Sequence, residues 1–355
     1  MSIRLGVASG DWIHPKKINS DAPVWGGSGW ARVGQYLDKL PYDVSVGTLI
    51  WYHDRFVIKD IDENLNEVDV ILMQRLMHRG LADHIIQARK NGQKVINDLD
   101  DWYWGLSTAN QAWEVNHPSK NDKENIQHYK SILNSSNVVI TSTRYLLDRS
   151  SKFVRGPKVL VENTIDPSRF THKVHEDVDQ LLVGWVGSTS HRSNDIETVS
   201  GVFAPMAKRG EIRLYHGGHH PSAKTFASMI GVPDNLVETK PICPPSEYPN
   251  LMVMDVGIVP LNNLPFNMAK SAIKGLEYAA AGVPFIAQSL PSYVELHNET
   301  GLGLIAKKPI DWIKNINKLK DHKFRSEVAE MGIESVKSKS IDRGVASLIE
   351  IIDSL

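Results

Sequence analysis

The chain has 355 residues, too many for one ordinary core and enough for two domains of about 150 to 200 residues each. Hydrophobic residues make up 41% of it and charged residues 23%, which is typical of a globular protein and excludes a disordered one. The net charge of −1 predicts no bulk attraction to nucleic acid, and the single cysteine, Cys243, excludes an intrachain disulfide and a cysteine-cluster metal site. With neither a signal peptide nor an apolar stretch of about 18 residues, the sequence predicts a cytoplasmic protein.

The first half of the chain alternates short apolar runs with longer amphipathic ones. This alternation predicts strand–helix units and a parallel sheet. The predicted strands cover residues 3–9, 42–48, 68–74, 94–100, 137–142 and 157–163. Between them, helices are predicted over 29–40 and over 80–92, the second of which ends at an Asn-Gly pair.

The polar segment 171–180 has no periodicity and is interpreted as a linker between domains. A second set of strands follows, predicted over residues 181–188, 212–218, 236–242, 256–261, 283–288 and 301–306. The sequence therefore predicts an α/β fold with two Rossmann-like, doubly wound domains that face a cleft. Their predicted limits are 1–170 and 171–335. A final helix in 336–355 could pack on either domain and is assigned to the first. Ligands of such sheets bind at the carboxyl ends of the strands.

Two turns of the second domain carry residue types that suit a phosphate. In the first turn, Gly187, Ser188 and Thr189 follow a strand and lead to His191 and Arg192. A small-residue turn before a helix leaves backbone N–H groups for an anion, and the two basic side chains add charge-assisted bonds. An ordinary strand–helix turn with solvated polar residues explains the same residues.

The second turn lies in residues 267–287, where Lys270 and Ser271 are placed at the start of a helix. Lys270, Lys274 and Glu277 are four and seven positions apart, which predicts that they share one helical face. Two cations at a helix N-terminus suit a diphosphate, and a carboxylate two turns along suits a pair of sugar hydroxyls. The alternative is a solvated face of lysine and glutamate with no ligand.

The first domain offers a glycine loop after its first strand, with Gly26, Gly27 and Gly29 within residues 20–34. The spacing is not Gly-x-Gly-x-x-Gly, so it matches a dinucleotide fingerprint only loosely. Such a loop allows close approach of a ligand to the backbone, or is simply flexible.

Residues 97–105 end a strand with three carboxylates followed by three aromatic rings: Asp98, Asp100, Asp101, Trp102, Tyr103 and Trp104. Asp-x-Asp is a pattern that holds a divalent cation, while acids beside aromatic rings are also found on sugar-binding surfaces. Because unpaired buried acids are costly, at least one of the three should face the cleft or meet a cation. A structural capping role is the remaining alternative.

Taken in order, these segments resemble the GT-B glycosyltransferases of the large retaining, nucleotide-sugar-dependent family. The resemblance extends over roughly residues 20–310, most of the chain. It is carried by six segments, residues 26–40, 138–148, 161–170, 183–188, 255–261 and 275–287. The segment 97–104 is similar to phage-encoded members, which would make the host cytoplasm the site of action.

The resemblance implies roles for individual positions of the donor site. Glu277 matches the second glutamate of a Glu-x7-Glu motif, which binds the ribose hydroxyls. Ala269 stands in place of the first glutamate, which reads the donor sugar, and Asn267 is close enough to substitute for it. Lys270 and Ser271 stand where backbone amides meet the diphosphate.

The same resemblance implies that the loop around Ile242 meets the nucleotide base through its backbone. Asp100 stands where many members have a histidine near the reacting sugar, so the role of that histidine does not transfer directly to this position. Asp100 or Asp101 is predicted to orient the acceptor or to stabilise the sugar cation. Trp102, Tyr103 and Trp104 are predicted to bind the acceptor.

The implied activity is transfer of a hexose from a UDP- or GDP-sugar to an acceptor hydroxyl with retention of configuration. Lysines and helix ends would stabilise the leaving diphosphate, so no metal and no cofactor are expected. A modified DNA base, a protein and a glycan all remain open as acceptors. Alternatives are a nucleotide-binding protein without turnover, a nucleotide-sugar epimerase, and an NAD-dependent oxidoreductase, which the irregular glycine spacing disfavours.

Overall fold

The computed structural model describes residues 2–18, 23–190 and 194–355. The chain forms two compact units. The first contains residues 1–105, 112–163 and 341–355, and the second contains residues 106–111 and 164–340.

The first unit is built on a parallel sheet. In chain order, the strands of this unit are β1 (Arg4–Ser9), β2 (Trp12–Ile13), β3 (Val24–Trp25), β4 (Asp43–Val46), β5 (Thr48–Tyr52), β6 (Arg55–Lys59), β7 (Leu65–Glu67), β8 (Val70–Gln74), β9 (Lys94–Leu99), β10 (Val138–Thr141) and β11 (Lys158–Leu160). The sheet order is β11-β10-β9-β8-β1-β4, all parallel. The order turns back between β1 and β8, so the loops after these strands mark the switch point of a doubly wound sheet.

Helices cover this sheet and connect its strands. They are α1 (Pro15–Ile18), α2 (Gly27–Arg32), α3 (Leu81–Lys90), α4 (Ala112–Asn116), α5 (Ile126–Ser135) and α6 (Arg144–Ser150), with 3₁₀ turns at Gly34–Lys39 and Tyr103–Gly105. The helix predicted over 29–40 is therefore wrong as one element. It breaks at Val33, whose φ of −136° is not helical, and a Cβ on Gly34 would lie 3.0 Å from the Trp30 ring.

The second unit has a parallel sheet of its own, formed by β12 (Leu181–Val186), β13 (Ile212–His219), β14 (Val237–Pro241), β15 (Val256–Val259), β16 (Phe285–Gln288) and β17 (Leu304–Ala306). Its order is β14-β13-β12-β15-β16-β17, the dinucleotide-fold order with its switch point between β12 and β15. The helices are α7 (Ser200–Lys208), α8 (Phe226–Ile230), α9 (Pro265–Met268), α10 (Ile273–Ala280), α11 (Pro291–Thr300), α12 (Pro309–Lys320) and α13 (His322–Ser335). Further 3₁₀ turns lie at Pro167–Arg169, Ile196–Val199, Asp234–Leu236, Tyr248–Leu251 and Val336–Lys339.

Small residues let α10 lie close to this sheet. A Cβ on Gly275 would be 2.7 Å from the Phe285 ring, and one on Gly257 would be 2.5 Å from the Tyr278 ring. The buried Tyr278 hydroxyl accepts a hydrogen bond from the Val186 amide at 3.1 Å. The Ala- and Gly-rich body of α10 is thus a packing surface that fixes the helix against β12, β15 and β16.

The units divide at residues 163/164 and 340/341, which differs from the predicted limits of 170 and 335. Ile165 and Phe170 are buried in the core of the second unit, which is why the division comes earlier. The segment 171–180 is not a free linker, because Lys173 pairs with Asp255 at 3.2 Å and His175 bonds the Gly282 carbonyl at 2.8 Å.

Candidate functional site

The best-defined polar constellation of the second unit lies at the switch point of its sheet, around Glu277 on α10. Lys274 Nζ donates to Glu277 Oε2 at 2.9 Å. The Tyr248 hydroxyl accepts from Lys274 Nζ and donates to the same Glu277 oxygen at 3.0 Å. The side chains of Lys274 and Glu277 are only 15% and 18% exposed, so the ion pair is largely shielded from water.

Aromatic rings surround the Lys274 ammonium. Its Nζ lies 4.9 Å from the centre of the Tyr248 ring and 5.6 Å from that of Trp185. Both distances are those of cation–π contacts. The ammonium also lies 3.5 Å from the position of a Cβ on Gly187, whose φ of +139° is a conformation that favours glycine. The glycine turn after β12 and the charged face of α10 therefore meet at Lys274.

Buried His216 holds the glycine turn through a hydrogen bond. Its Nε2 is 3.0 Å from the Gly187 carbonyl, which also accepts from the Trp185 indole at 3.2 Å. The Thr189 hydroxyl donates to the Lys224 carbonyl at 2.8 Å, and the Ser188 hydroxyl accepts from the Ser190 amide. The predicted ligands His191 and Arg192 lie outside the described residues.

The predicted start of the donor helix is wrong. Helix α10 begins at Ile273, and Lys270 and Ser271 lie between α9 and α10. The Lys270 amide is bonded to the Asn267 carbonyl at 3.1 Å, which closes a turn there. Of the three residues predicted to share one helical face, Lys274 and Glu277 are on the helix, whereas the Lys270 ammonium lies over the Phe266 ring at 4.4 Å.

Asn267 and Ala269 are buried, 1% and 0% exposed. The side-chain amide of Asn267 donates to Asp195 Oδ1 at 2.6 Å and to Asn262 Oδ1 at 3.0 Å. Asp195 Oδ1 also accepts from the backbone N–H of Asn262 at 3.1 Å. These bonds tie the loop after β15 to the segment after β12, so the geometry of Asn267 favours a supporting role over direct contact with a sugar.

Ile242 follows β14, with its side chain half exposed. Its backbone N–H donates to the His219 carbonyl at 2.9 Å. Of the two backbone groups predicted to meet a base, the carbonyl is therefore the better suited to a ligand. Its natural partners are ring N–H donors such as those of uracil and guanine.

The first unit gathers carboxylates around Arg75 at its own switch point, after β1, β8 and β9. The guanidinium bonds Asp11 Oδ2 at 2.9 Å, Asp100 Oδ2 at 2.8 Å and Asp101 Oδ2 at 2.6 Å. It also donates to the Ser28 hydroxyl at 2.8 Å. Burial acts to lower the pKa of Arg75, but the surrounding carboxylates outweigh it and hold that pKa well above its ordinary value.

This cluster also holds the glycine loop. Asp11 accepts from the Gly29 amide at 3.0 Å, and the Asp11 carbonyl accepts from Gly26 at 2.7 Å. A Cβ on Gly29 would lie 2.7 Å from the Asp11 side chain, whereas one on Gly27 would meet nothing within 4 Å. The loop is thus anchored at Gly26 and Gly29, and there is open space at Gly27.

Asp98 does not join Asp100 in a cation site. It is fully buried and pairs with Arg32, whose Nη2 is 2.6 Å from Asp98 Oδ1. Arg32 also donates to the Val161 carbonyl at 2.6 Å and to Asn163 Oδ1 at 2.7 Å. Burial raises the pKa of Asp98, and the charge of Arg32 acts against that rise. The requirement that buried acids meet a cation is met twice, by two different arginines.

The predicted acceptor rings form an aromatic cluster. The rings of Trp102 and Trp104 are 4.9 Å apart, and Trp104 stacks on Tyr129 at 6.1 Å with planes inclined by 7°. Tyr103 is buried, with its ring 5.9 Å below the Arg75 guanidinium, and burial raises the pKa of its hydroxyl well above the ordinary value. Their role in acceptor binding stays a prediction.

Sequence reasoning missed Tyr248, Arg75 and Arg32. Tyr248 lies in a proline-rich loop, 29 positions from Glu277, so no periodicity links the two. Arg75 has φ of +58°, unusual for a residue with a side chain, and directly follows a strand predicted from its apolar run. That position at a strand end was the available signal.

No family model matches the chain. A curated protein, the putative teichuronic acid biosynthesis glycosyltransferase TuaH of Bacillus subtilis, is 31% identical over 97 residues, which are 27% of this chain and 24% of that protein. The chain thus matches about a quarter of the length of this relative.

Solved structures match over nearly the whole chain. Sucrose-phosphate synthase from Thermosynechococcus elongatus has a TM-score of 0.67 at 13% identity, covering 99% of this chain and 98% of that one. Anabaena HepE in complex with UDP and glucose has a TM-score of 0.65 at 11% identity, covering 99% and 100%. A glycosyltransferase from Rickettsia africae has a TM-score of 0.61 at 13% identity, covering 98% and 97%.

These likenesses confirm the predicted fold. The chain has the fold of the GT-B glycosyltransferases, with two Rossmann-like units of six parallel strands each. Among the described residues, the structure contains no helix that could span a membrane.

Proposed function

We propose that the protein is a glycosyltransferase that moves a hexose from a UDP- or GDP-sugar to an acceptor hydroxyl with retention of configuration. The observation that carries the proposal is the constellation of Glu277, Lys274 and Tyr248 beside the Gly187 turn, at the switch point of a dinucleotide-type sheet. Ligands of such sheets bind there. Support also comes from HepE, a protein of the same fold whose structure contains UDP and glucose.

Each part of the constellation suits one part of a nucleoside diphosphate. Glu277 offers an ionised carboxylate to the two ribose hydroxyls, which need acceptors. The glycine turn allows a phosphate to approach the backbone, and the positive end of the α10 dipole attracts an anion. The Ile242 carbonyl suits a base N–H.

The reaction depends most strongly on the groups that face the leaving diphosphate. Negative charge grows on its oxygens as the sugar bond breaks, and preorganised cations and N–H dipoles stabilise that charge. We assign this role to Lys270, Lys274 and Arg192, together with the helix start. The sugar cation is then attacked from the face that the diphosphate leaves, which retains configuration. In this proposal no metal and no cofactor takes part.

The acceptor side is assigned to the first unit. Asp100 and Asp101 are held by Arg75, and we propose that one of them stabilises the sugar cation or orients the acceptor. Trp102 and Trp104 are half-buried rings suited to stacking on an acceptor. A glycan, a protein and a modified DNA base all present the hydroxyl that the reaction needs.

Thermal unfolding with nucleotides tests the donor site. A ligand that binds only the folded state at about 100 times its Kd adds about 2.7 kcal/mol of stability. We expect UDP or GDP, and the sugars of the same nucleotide, to raise the melting temperature equally with and without EDTA. Lys270→Ala and Glu277→Ala should lose this shift, whereas Lys318→Ala, an exposed lysine on α12, should keep it. If no nucleotide shifts the wild-type protein, the donor site is wrong.

A nucleotide-binding protein without turnover is the second candidate. The observation that favours it is the buried Ala269, which stands where the resemblance implies a carboxylate for the donor sugar. The candidates differ in one measurement, the release of UDP or GDP from the nucleotide sugar. Binding without release by the wild-type protein, with water or with a mixed panel of acceptors, would favour the second candidate.

A further inference from the structure

We propose that Tyr248 and Lys274 fix the orientation of the Glu277 carboxylate and so make the site selective for ribonucleotides over 2′-deoxyribonucleotides. The inference rests on the proposed function, since it takes Glu277 as the group that binds ribose. It adds two residues to that task, one of them in a loop that no periodicity connects to the donor helix.

Both hydrogen bonds to the Glu277 carboxylate are made to the same oxygen. Oε2 receives both Lys274 Nζ at 2.9 Å and the Tyr248 hydroxyl at 3.0 Å. A carboxylate has about four lone-pair sites on its two oxygens. With two donors on Oε2, the carboxylate plane is set and Oε1 is the oxygen on which the described residues place no donor. Oε1 keeps its two lone-pair sites, one for each of the two neighbouring hydroxyls of a ribose.

The Tyr248 hydroxyl is the link that makes this arrangement rigid. It accepts from the ammonium and donates to the carboxylate, so its single proton is committed to Glu277. The ring of the same residue lies 4.9 Å from the ammonium, on which Trp185 also packs at 5.6 Å. The lysine is therefore held from several directions, and it in turn holds the carboxylate.

The position of Tyr248 explains why this matters for a nucleotide. The residue begins a short 3₁₀ turn, Tyr248–Leu251, in the loop that follows β14 and Ile242. The loop proposed to meet the base thus also sets the carboxylate proposed to meet the ribose. A tyrosine that only filled space would affect ribo- and deoxyribonucleotides alike, because its contribution would not depend on the 2′-hydroxyl.

The test compares affinities for matched nucleotides by titration calorimetry, with UDP, GDP and ADP against dUDP, dGDP and dADP. We expect the wild-type protein to prefer the ribonucleotide by about tenfold or more, the value of a hydrogen bond to a charged group. Tyr248→Phe keeps the ring and removes the hydroxyl. It should weaken the ribonucleotide by about tenfold and leave the deoxyribonucleotide within about twofold, so the ratio collapses.

Two further variants keep the result interpretable. Lys274→Met keeps an apolar stem between Trp185 and Tyr248 but removes the ammonium, and it should reduce the same ratio. Tyr145→Phe is the matched control, because Tyr145 also has a cation over its ring, Arg149 at 5.1 Å, and lies in the first unit. It should leave both affinities unchanged.

Each other outcome overturns the inference in a recognisable way. A wild-type protein that binds ribo- and deoxyribonucleotides equally, or a Tyr248→Phe protein that loses both equally, would contradict it while the proposed function stands. A wild-type protein that binds none of the six nucleotides would contradict the proposed function as well.

Discussion

Arg32 and Asp98 form a buried ion pair in the first unit, 2% and 0% exposed at their side chains. Removing one partner of such a pair leaves a charge without compensation in a low-dielectric interior, and this costs about 3 to 5 kcal/mol. We therefore expect Arg32→Met to lower the free energy of unfolding in urea by about that amount. The loss should exceed that of any single exposed salt bridge, which is worth about 1 kcal/mol or less.

The matched double variant, Arg32→Met with Asp98→Leu, separates charge from packing. Replacing both partners with apolar residues removes the unpaired carboxylate, so the double variant should be more stable than Arg32→Met alone. A double variant that loses the sum of both single losses would show that the Arg32 bonds to Val161 and Asn163, rather than the charge pair, hold this part of the fold.

His175 predicts a pH dependence of stability in the second unit. Burial lowers its pKa below the ordinary value of 6.5, and the nearby charges of Arg325 and Lys173 act in the same direction. Its Nε2 donates to the Gly282 carbonyl, while no described residue bonds Nδ1, which is also buried. The folded state thus keeps the imidazole neutral at a pH where the unfolded chain takes up a proton.

The sign follows from proton uptake. The stability that His175 contributes is complete above the unfolded pKa of 6.5 and is lost as the pH falls through that value toward the lower folded pKa. The melting temperature should therefore decrease as the pH is lowered from about 7.5 to about 5.5. His175→Gln should flatten this dependence and exposed His172→Gln should not. Equal profiles in the three proteins would assign the dependence to other groups.

At the scale of elements, the turn after β12 restricts its sequence because of its backbone conformation. Gly187 has φ of +139°, and a Cβ there would lie 3.3 Å from the Trp185 ring and 3.5 Å from Lys274 Nζ. Backbone in this region is essentially restricted to glycine, and a substitution costs about 1 to 3 kcal/mol. We expect Gly187→Ala to destabilise the protein by about that much and to abolish the nucleotide-induced rise in melting temperature.

Gly231→Ala is the control for strain alone. Gly231 has φ of +83° in the same unit, and a Cβ there meets nothing within 4 Å. This variant should lose some stability and keep the response to nucleotides. If both variants kept the response, the turn after β12 would not be part of the donor site.

The elements also show what a sequence pattern can and cannot predict. All twelve strands of the two parallel sheets could be predicted. The central strands, such as β8 and β12, are buried along their whole length and are continuous apolar runs, and the regular alternation with helices indicated the more exposed edge strands β4, β11 and β14. The antiparallel sheet β5-β6-β7 was missed. Its first hairpin turns at His53 and Asp54, with φ of 46° and 59°, and such turns normally signal themselves by Asn-Gly or Asp-Gly.

The candidate site divides in the same way. Lys274 and Glu277 are three positions apart on one helix, so their pairing follows from helical geometry. Tyr248 reaches them only because the sheet brings the ends of β12 and β14 together with α10, and no local pattern contains that information. Helix α10 begins three residues later than predicted because Asn267 and Lys270 close a turn between two helices.

At the scale of the whole molecule, the last helix, α14 (Ile341–Asp353), returns to the first unit after the chain has completed the second. Its residues Ile341, Leu348, Ile351 and Ile352 are buried in the same core as β1 and β10. The Tyr42 hydroxyl donates to Asp353 at 2.8 Å, and burial raises the pKa of that tyrosine. The hydrophobic core of the first unit is therefore built from residues near both ends of the chain.

This topology makes a prediction that local contacts alone do not. Leu348→Ala removes a buried side chain, 1% exposed, and should lower the free energy of unfolding by about 2 to 5 kcal/mol. Because the loss falls on the core of the first unit, amide exchange should rise in β1 and β4, more than 300 positions earlier in the chain. Exposed Ile310→Ala on α12 should leave exchange in these strands unchanged. Exchange that rose only near residue 348 would mean that the first sheet holds together without α14.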